Sequence, residues 1–226
     1  MFSAWSEIDW LPLWLTLKVA SIATLIAFMI GIALGYLLAR TQFWGKEVLD
    51  AFLTLPMVLP PTVLGFYLLT IFGKKGWLGG FLLEHFNYTL IFNWHGAVIA
   101  SAVVSYPLVF KSARAAFEGV DANFENVAKT LGQNRIAVFL RVTFPLAWRG
   151  ILAGTMLAFA RAMGEFGATL MVAGNIPERT QTLSLAVYDA VQAGNDSLAN
   201  VLVLITSIVC ITVLVIASRL LKSNHW

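Results

Sequence analysis

The sequence predicts an all-α integral membrane protein with about five transmembrane helices. Composition is the first reason. The 226 residues are 59% hydrophobic and 12% charged, with a mean hydropathy of +0.79, whereas soluble domains carry roughly 25% charged residues. The distribution of charge is the second. Val19–Ala39, Ala51–Gly73, Phe86–Phe110 and Ser197–Ser218 contain no Asp, Glu, Lys or Arg. Each is long enough to cross a bilayer core of roughly 30 Å as a helix of about 20 residues. A fifth apolar run, Gly150 to Pro177, is interrupted only by Arg161 and Glu165. No run alternates strictly, which disfavours a β-barrel. The length fits one domain, 1–226.

The start, MFSAWSEIDWLPLW, has acids and no Lys or Arg before the first apolar run. A secretory signal needs a positive start, so the N-terminus is expected to be retained. Lys18 falls about one turn into the first helix and is expected to snorkel outward. Gly31-xxx-Gly35 here and Gly150-xxx-Gly154 in the fourth span are small-residue pairs that allow close backbone approach. The second span contains LTLPMVLPP. Pro56, Pro60 and Pro61 cannot all sit in a regular helix, because each removes a hydrogen bond and crowds the preceding turn. The span must kink. Freed carbonyls in lipid need other partners, so the broken segment is also a candidate lining for a pathway.

Residues 118–146 form a long loop with a pattern of its own. Asp121 is a suitable N-cap for a helix running to about Leu131. Phe124, Val127, Ala128 and Leu131 follow i, i+3, i+4, i+7 spacing and make an apolar stripe. Gly132 suits the helix end, and a second short helix follows from about Gln133 to Val142. Pro145 then begins the fourth span. A helix lying on lipid and a helix docking a partner both fit this stripe.

Within the fourth span, Arg161 and Glu165 are four residues apart and share one helical face. Charges at this depth are costly and turn away from lipid, so they form a buried ion pair, line a polar route or gate, or do both. Gly164 and Gly167 beside them permit close approach or a bend. Residues 176–197 are too polar to span. Leu183, Ala186, Val187, Ala190 and Val191 recur at helical spacing, which predicts a short amphipathic helix.

Charge sets the orientation. With the N-terminus outside, ten basic residues fall in cytoplasmic segments, and three, Lys74, Lys75 and Arg179, fall outside. Positive charge collects on the cytoplasmic side, so the N-terminus is expected in the periplasm and the C-terminus in the cytoplasm. The net charge of +3 reads as topology rather than as a nucleic-acid surface. Trp5, Trp10, Trp14, Trp77 and Trp94 fall near the outer face; Trp44, Trp148 and Trp226 fall near or beyond the inner one. Indole prefers that depth.

Little else suggests chemistry. Cys210 is the single cysteine, and His85, His95 and His225 are scattered, so no metal or other cofactor is expected. There is no G-x-x-x-x-G-K-[ST], so nothing here cradles nucleotide phosphates. The chain is expected not to be an enzyme.

The loop resembles the cytoplasmic loop of bacterial binding-protein-dependent ABC-importer permeases. That pattern is Glu-Ala-Ala, three residues, Gly, nine residues, Ile, one residue, Leu-Pro. Aligned on Gly132, the triplet falls on Asn126, Val127 and Ala128, and the later positions on Val142, Phe144 and Pro145. Ala128, Gly132 and Pro145 match. Asn126 stands where the family has an acid, and Glu125 is next to it. LPMVLPPTVLGFYLL, NWHGAVIASAVVSYPLVFKSARAAFEGVD and FARAMGEFGATLMVAGNIPERTQTLSLAVY are similar to molybdate-importer permeases, and less closely to those for sulfate and tungstate. The resemblance implies a type I importer bundle in the inner membrane that pairs with a second copy of itself. It implies a coupling loop around Glu125, Asn126, Ala128, Gly132 and Pro145, seated on a cytoplasmic ATP-binding subunit dimer. It further implies oxyanion delivery by a periplasmic binding protein.

Overall fold

The computed structural model describes residues 9–221. Trp5, Lys222, His225 and Trp226, used above for orientation and chemistry, lie outside them. Helix α1 spans Leu11–Arg40. Pro12 sits in its first turn, where no backbone N–H is needed. After a short turn, α2 (Lys46–Val58) and α3 (Pro61–Phe72) form a broken pair bent by 108°. The three prolines explain the break. Pro56 lies inside α2, Leu59 is extended, Pro60 precedes α3, and Pro61 is its first residue.

Helix α4 covers Trp77–Phe86, α5 Trp94–Glu118, and α6 Ala122–Thr130. Helix α7 runs Arg135–Met163. The chain ends with α8 (Gly167–Ala173), α9 (Leu183–Gln192) and α10 (Asp196–Leu221). No strand occurs among the described residues. Among the described residues four helices are long and apolar enough to cross a membrane, and the bent pair makes a fifth span if counted as one.

Helix α5 is the centre, packed between α1 and α7. Both glycine pairs lie on it. A Cβ at Gly31 would stand 2.8 Å from Val109 Cβ, and one at Gly35 3.0 Å from Ala113 Cβ. On the other side, a Cβ at Gly150 would stand 2.7 Å from Ala116 Cβ, and one at Gly154 2.3 Å from Ser112 Cβ. At Gly31, Gly150 and Gly154 nothing larger than hydrogen fits without a shift, so the helices pack in close contact, as small residues permit between membrane helices.

Three span boundaries differ from expectation. The first helix begins at Leu11, so Lys18 lies about two turns inside it rather than one. The Lys18 Nζ sits over the Trp94 ring, 3.7 Å from the centroid, a contact worth about 0.5–2 kcal/mol. The third span is Trp94–Glu118 rather than Phe86–Phe110. Its last turns carry Lys111, Arg114 and Glu118, whose charges are paired. A search for charge-free residues cannot include them. The residues before it form the separate helix α4.

The fourth span is Arg135–Met163, so it starts before the expected Pro145 and stops well short of Pro177. The expected second loop helix, about Gln133 to Val142, is the start of this span: one α-helical turn, Arg135–Val138, then a π-helical segment, Phe139–Thr143. The N–H of Phe144 bonds to the carbonyl of Phe139, and this wide turn admits Pro145 without ending the helix. The span stops early because Gly164, Glu165 and Phe166 break the helix before α8.

The amphipathic helix over 183–192 forms as expected. Leu183, Ala186 and Ala190 are buried. Thr16 Oγ1 on α1 accepts from the N–H of Leu183 at 2.8 Å, which fixes where α9 starts.

Candidate functional site

The residues singled out in the sequence fall into two places. The first is an elbow made by α6, the end of α1 and the start of α7. Asp121 caps α6, its side chain accepting from the N–H of Asn123 at 2.9 Å. Gly132 has φ +80°, a left-handed conformation that glycine adopts without strain. Asn134 then starts α7 by accepting from Ala137 N–H at 2.8 Å.

The stripe on α6 is divided. Ala128 is buried, whereas Phe124, Val127 and Leu131 are 58%, 59% and 76% exposed. Three large apolar side chains on one helix therefore face outward with no cover from the chain.

Glu125 and Asn126 part company. Asn126 is exposed. Glu125 is buried and faces inward, ion-paired with Arg40 at the end of α1. Its Oε1 also accepts from Thr143 Oγ1 at 2.8 Å. Thr143 is fully buried in the π-helical segment. One carboxylate thus joins α6, α1 and α7. Asn126, at the position of the family's acid, faces the other way. Pro145 lies just past the π segment. Arg40 and Thr143 were not singled out in the sequence. Arg40 counted only as an orientation charge, and Thr143 carried no signal.

The second place is the broken span. Pro56, Pro60 and Pro61 line a cavity of about 420 Å³ with Val104, Leu108 and Arg161. The sequence named the prolines and the arginine separately; the fold brings them to one cavity. Arg161 Nη1 lies 2.7 Å from Glu165 Oε2. The helix ends at Met163, so Glu165 is not on a shared helical face, contrary to expectation. It reaches back from the break. Its Oε1 accepts from the N–H of Ala168 at 2.8 Å, which holds the start of α8. The two charges differ in exposure, with side chains 37% accessible for Arg161 and 1% for Glu165. The acid is sealed and the cation opens toward the cavity.

The glycines differ too. A Cβ at Gly167 would stand 2.8 Å from Pro61 Cβ, so α8 and α3 touch there. At Gly164 the nearest atom would be 3.8 Å away, so Gly164 serves the turn and not a close contact.

Helix α2 forms the outer wall. None of its residues is buried. It is held by polar ties instead. Asp50 pairs with Lys111 and Arg114, and Tyr106 OH donates to the carbonyl of Leu53. Among the described residues no group of three or more His, Cys, Asp or Glu could hold a metal.

The sequence profile described as "Binding-protein-dependent transport system inner membrane component" matches residues 31–224. The molybdenum transport system permease protein ModB of Escherichia coli (strain K12) is 43% identical over 209 residues, 92% of this chain and 91% of that one. The putative molybdenum transport system permease protein YvgM of Bacillus subtilis (strain 168) is 45% identical over 188 residues, 83% of each chain. Among solved structures, an inward-facing form of the MetNI methionine ABC transporter superposes with a TM-score of 0.73 at 16% identity. The match covers 93% of both chains and speaks to the fold alone.

Proposed function

The chain belongs to the binding-protein-dependent transport system inner membrane component family, and from that premise we propose that it is the permease subunit of an ATP-driven molybdate importer. It is a multi-pass inner-membrane protein. Its whole length acts as one permease domain, with the N-terminus in the periplasm and the C-terminus in the cytoplasm. The loop of residues 118–146 faces the cytoplasm and that of 176–197 the periplasm. The observation that carries the transport reading is the cavity where Arg161 meets the broken, proline-lined span, in a chain whose two relatives above are named for molybdenum transport.

A tetrahedral dianion crossing a low-dielectric interior benefits from positive charge, yet a strong site would trap it. Arg161, half-neutralised by Glu165, meets both demands. Pro56, Pro60 and Pro61 supply a non-helical backbone there, and Gly164 and Gly167 let the facing segment turn and close against Pro61. Two copies of the chain form the pathway, and a periplasmic oxyanion-binding protein delivers to it.

Energy comes from a cytoplasmic ATP-binding subunit dimer. The outward stripe of Phe124, Val127 and Leu131 is the docking surface, and Asn126 is exposed on the same helix. Ala128 and Gly132 shape the helix, and Glu125 fixes it to the spans. Reconstitution with the ATPase and binding protein tests this reading. ATP-dependent molybdate uptake should exceed that of sulfate, and Val127→Asp should abolish co-purification of the ATPase. Uptake without the ATPase, or preference for sulfate, would overturn it. Tungstate, the same shape and charge, should compete with molybdate.

A further inference from the structure

A second cavity, of about 660 Å³, opens between the end of α1, α6 and the start of α7. It shares no lining residue with the cavity at the broken span. Its apolar lining includes Leu37, Ile136 and Phe139. Leu37 and Ile136 are largely exposed, at 51% and 71%. Arg40, Lys129 and Arg135 line it as well.

The charge there is unbalanced. Glu125 is the one acid in the lining, and it is already engaged by Arg40 and Thr143. Lys129 and Arg135 have no acidic partner among the described residues. Arg40 Nε is buried without a hydrogen-bond partner. Lys129 is also on the wrong side of α6 for docking. At 100° per residue it lies roughly 170° round from the centre of the Phe124–Val127–Leu131 stripe.

Position supplies the remaining constraint. Helix α1 is a 30-residue span that ends at Arg40, so the cavity lies where the bilayer core gives way to headgroups. Basic pockets between helices at that depth suit anionic headgroups. A soluble anion would answer the charge and leave the adjoining apolar wall bare. A phospholipid answers both.

We propose that this cavity binds an anionic phospholipid. Its phosphate is held by Arg40, Lys129 and Arg135, and an acyl chain lies along Leu37 and Ile136. The lipid braces the elbow beside the Glu125–Arg40 clasp.

The test is native mass spectrometry of the full chain in neutral detergent, with phosphatidylglycerol or phosphatidylcholine added. Phosphatidylglycerol should be retained and phosphatidylcholine lost. Each basic residue near an anionic headgroup is worth about fivefold in affinity. Lys129→Gln with Arg135→Gln should therefore weaken phosphatidylglycerol about thirtyfold. Lys129→Arg with Arg135→Lys should retain it. Both positions are exposed, so the parent melting temperature should persist and serves as the folding control. Equal retention of the two lipids, or unchanged retention in the double Gln variant, would overturn the proposal. Full displacement by inorganic phosphate would do the same and assign the site to a soluble oxyanion.

Discussion

Thr143 Oγ1 donates to Glu125 Oε1 across 2.8 Å, and this bond ties a π-helical turn of a membrane span to the helix that presents the outward apolar stripe. Arg40 completes the clasp from α1. Any force on α6 therefore reaches two spans through one carboxylate.

Glu125→Gln keeps an acceptor for Thr143 but removes the charge facing Arg40. Breaking one side of a buried pair costs about 3–5 kcal/mol. Arg40 is partly exposed, so the expected loss is lower, about 1–3 kcal/mol. The melting temperature of the reconstituted complex should fall accordingly. ATP hydrolysis should continue while molybdate moved per ATP declines. An unchanged transport-to-hydrolysis ratio would leave Glu125 a purely structural residue.

Gly154→Ala places a methyl 2.3 Å from Ser112 Cβ and 2.5 Å from its Oγ. Such overpacking costs about 1–3 kcal/mol. Adding Ser112→Gly removes both of those atoms and should recover most of the loss, since the next nearest atom, the Leu108 carbonyl oxygen, is 3.0 Å away. Gly31→Ala should have no comparable rescue, because Phe110 N, a backbone atom, is 2.9 Å away. Thermal unfolding of the purified variants checks the contrast.

The fold class and the loop were legible because both are written in local patterns. Charge-free runs mark spans, and Asp121, the stripe and Gly132 mark a capped helix. Span ends were less so. Lys111, Arg114 and Glu118 continue α5 because their partners come from α2 or from the same helix, and a sequence does not announce such pairs. The π segment was invisible for a similar reason, since Pro145 reads as a helix start whether or not a helix precedes it. Arg161 and the three prolines could each be flagged alone. Their convergence depends on α7 packing beside the α2–α3 break, which is a tertiary fact.

Helix α2 should be the most easily released part of the bundle. It buries no residue and depends on Asp50 and on the bond from Tyr106 to Leu53 O. A bond of the second kind is worth about 1 kcal/mol. Tyr106→Phe should speed amide exchange across residues 46–58 by roughly fivefold, with α5 itself unchanged. Asp50→Asn should act in the same direction. If exchange in that segment stayed at the parent rate, the polar ties would not be what holds α2.

Arg161 is the residue on which the transport reading turns, and stability must be separated from transport there. Arg161→Met leaves the sealed Glu165 carboxylate without its cation, a loss of about 3–5 kcal/mol for a buried pair. Reduced uptake in that variant alone is therefore ambiguous. Arg161→Met with Glu165→Gln removes both charges, and the neutral amide still accepts from the N–H of Ala168. Stability should return to within about 1–2 kcal/mol of the parent, since exchanging a whole buried pair for neutral groups is often tolerated. Molybdate uptake should stay at least about tenfold down, because the cavity would then hold no positive charge to offset the dianion. Arg161→Lys, which keeps the cation but not the planar fork, should fall between the two. Recovery of uptake together with stability in the double variant would make the pair a structural tie and move the pathway elsewhere.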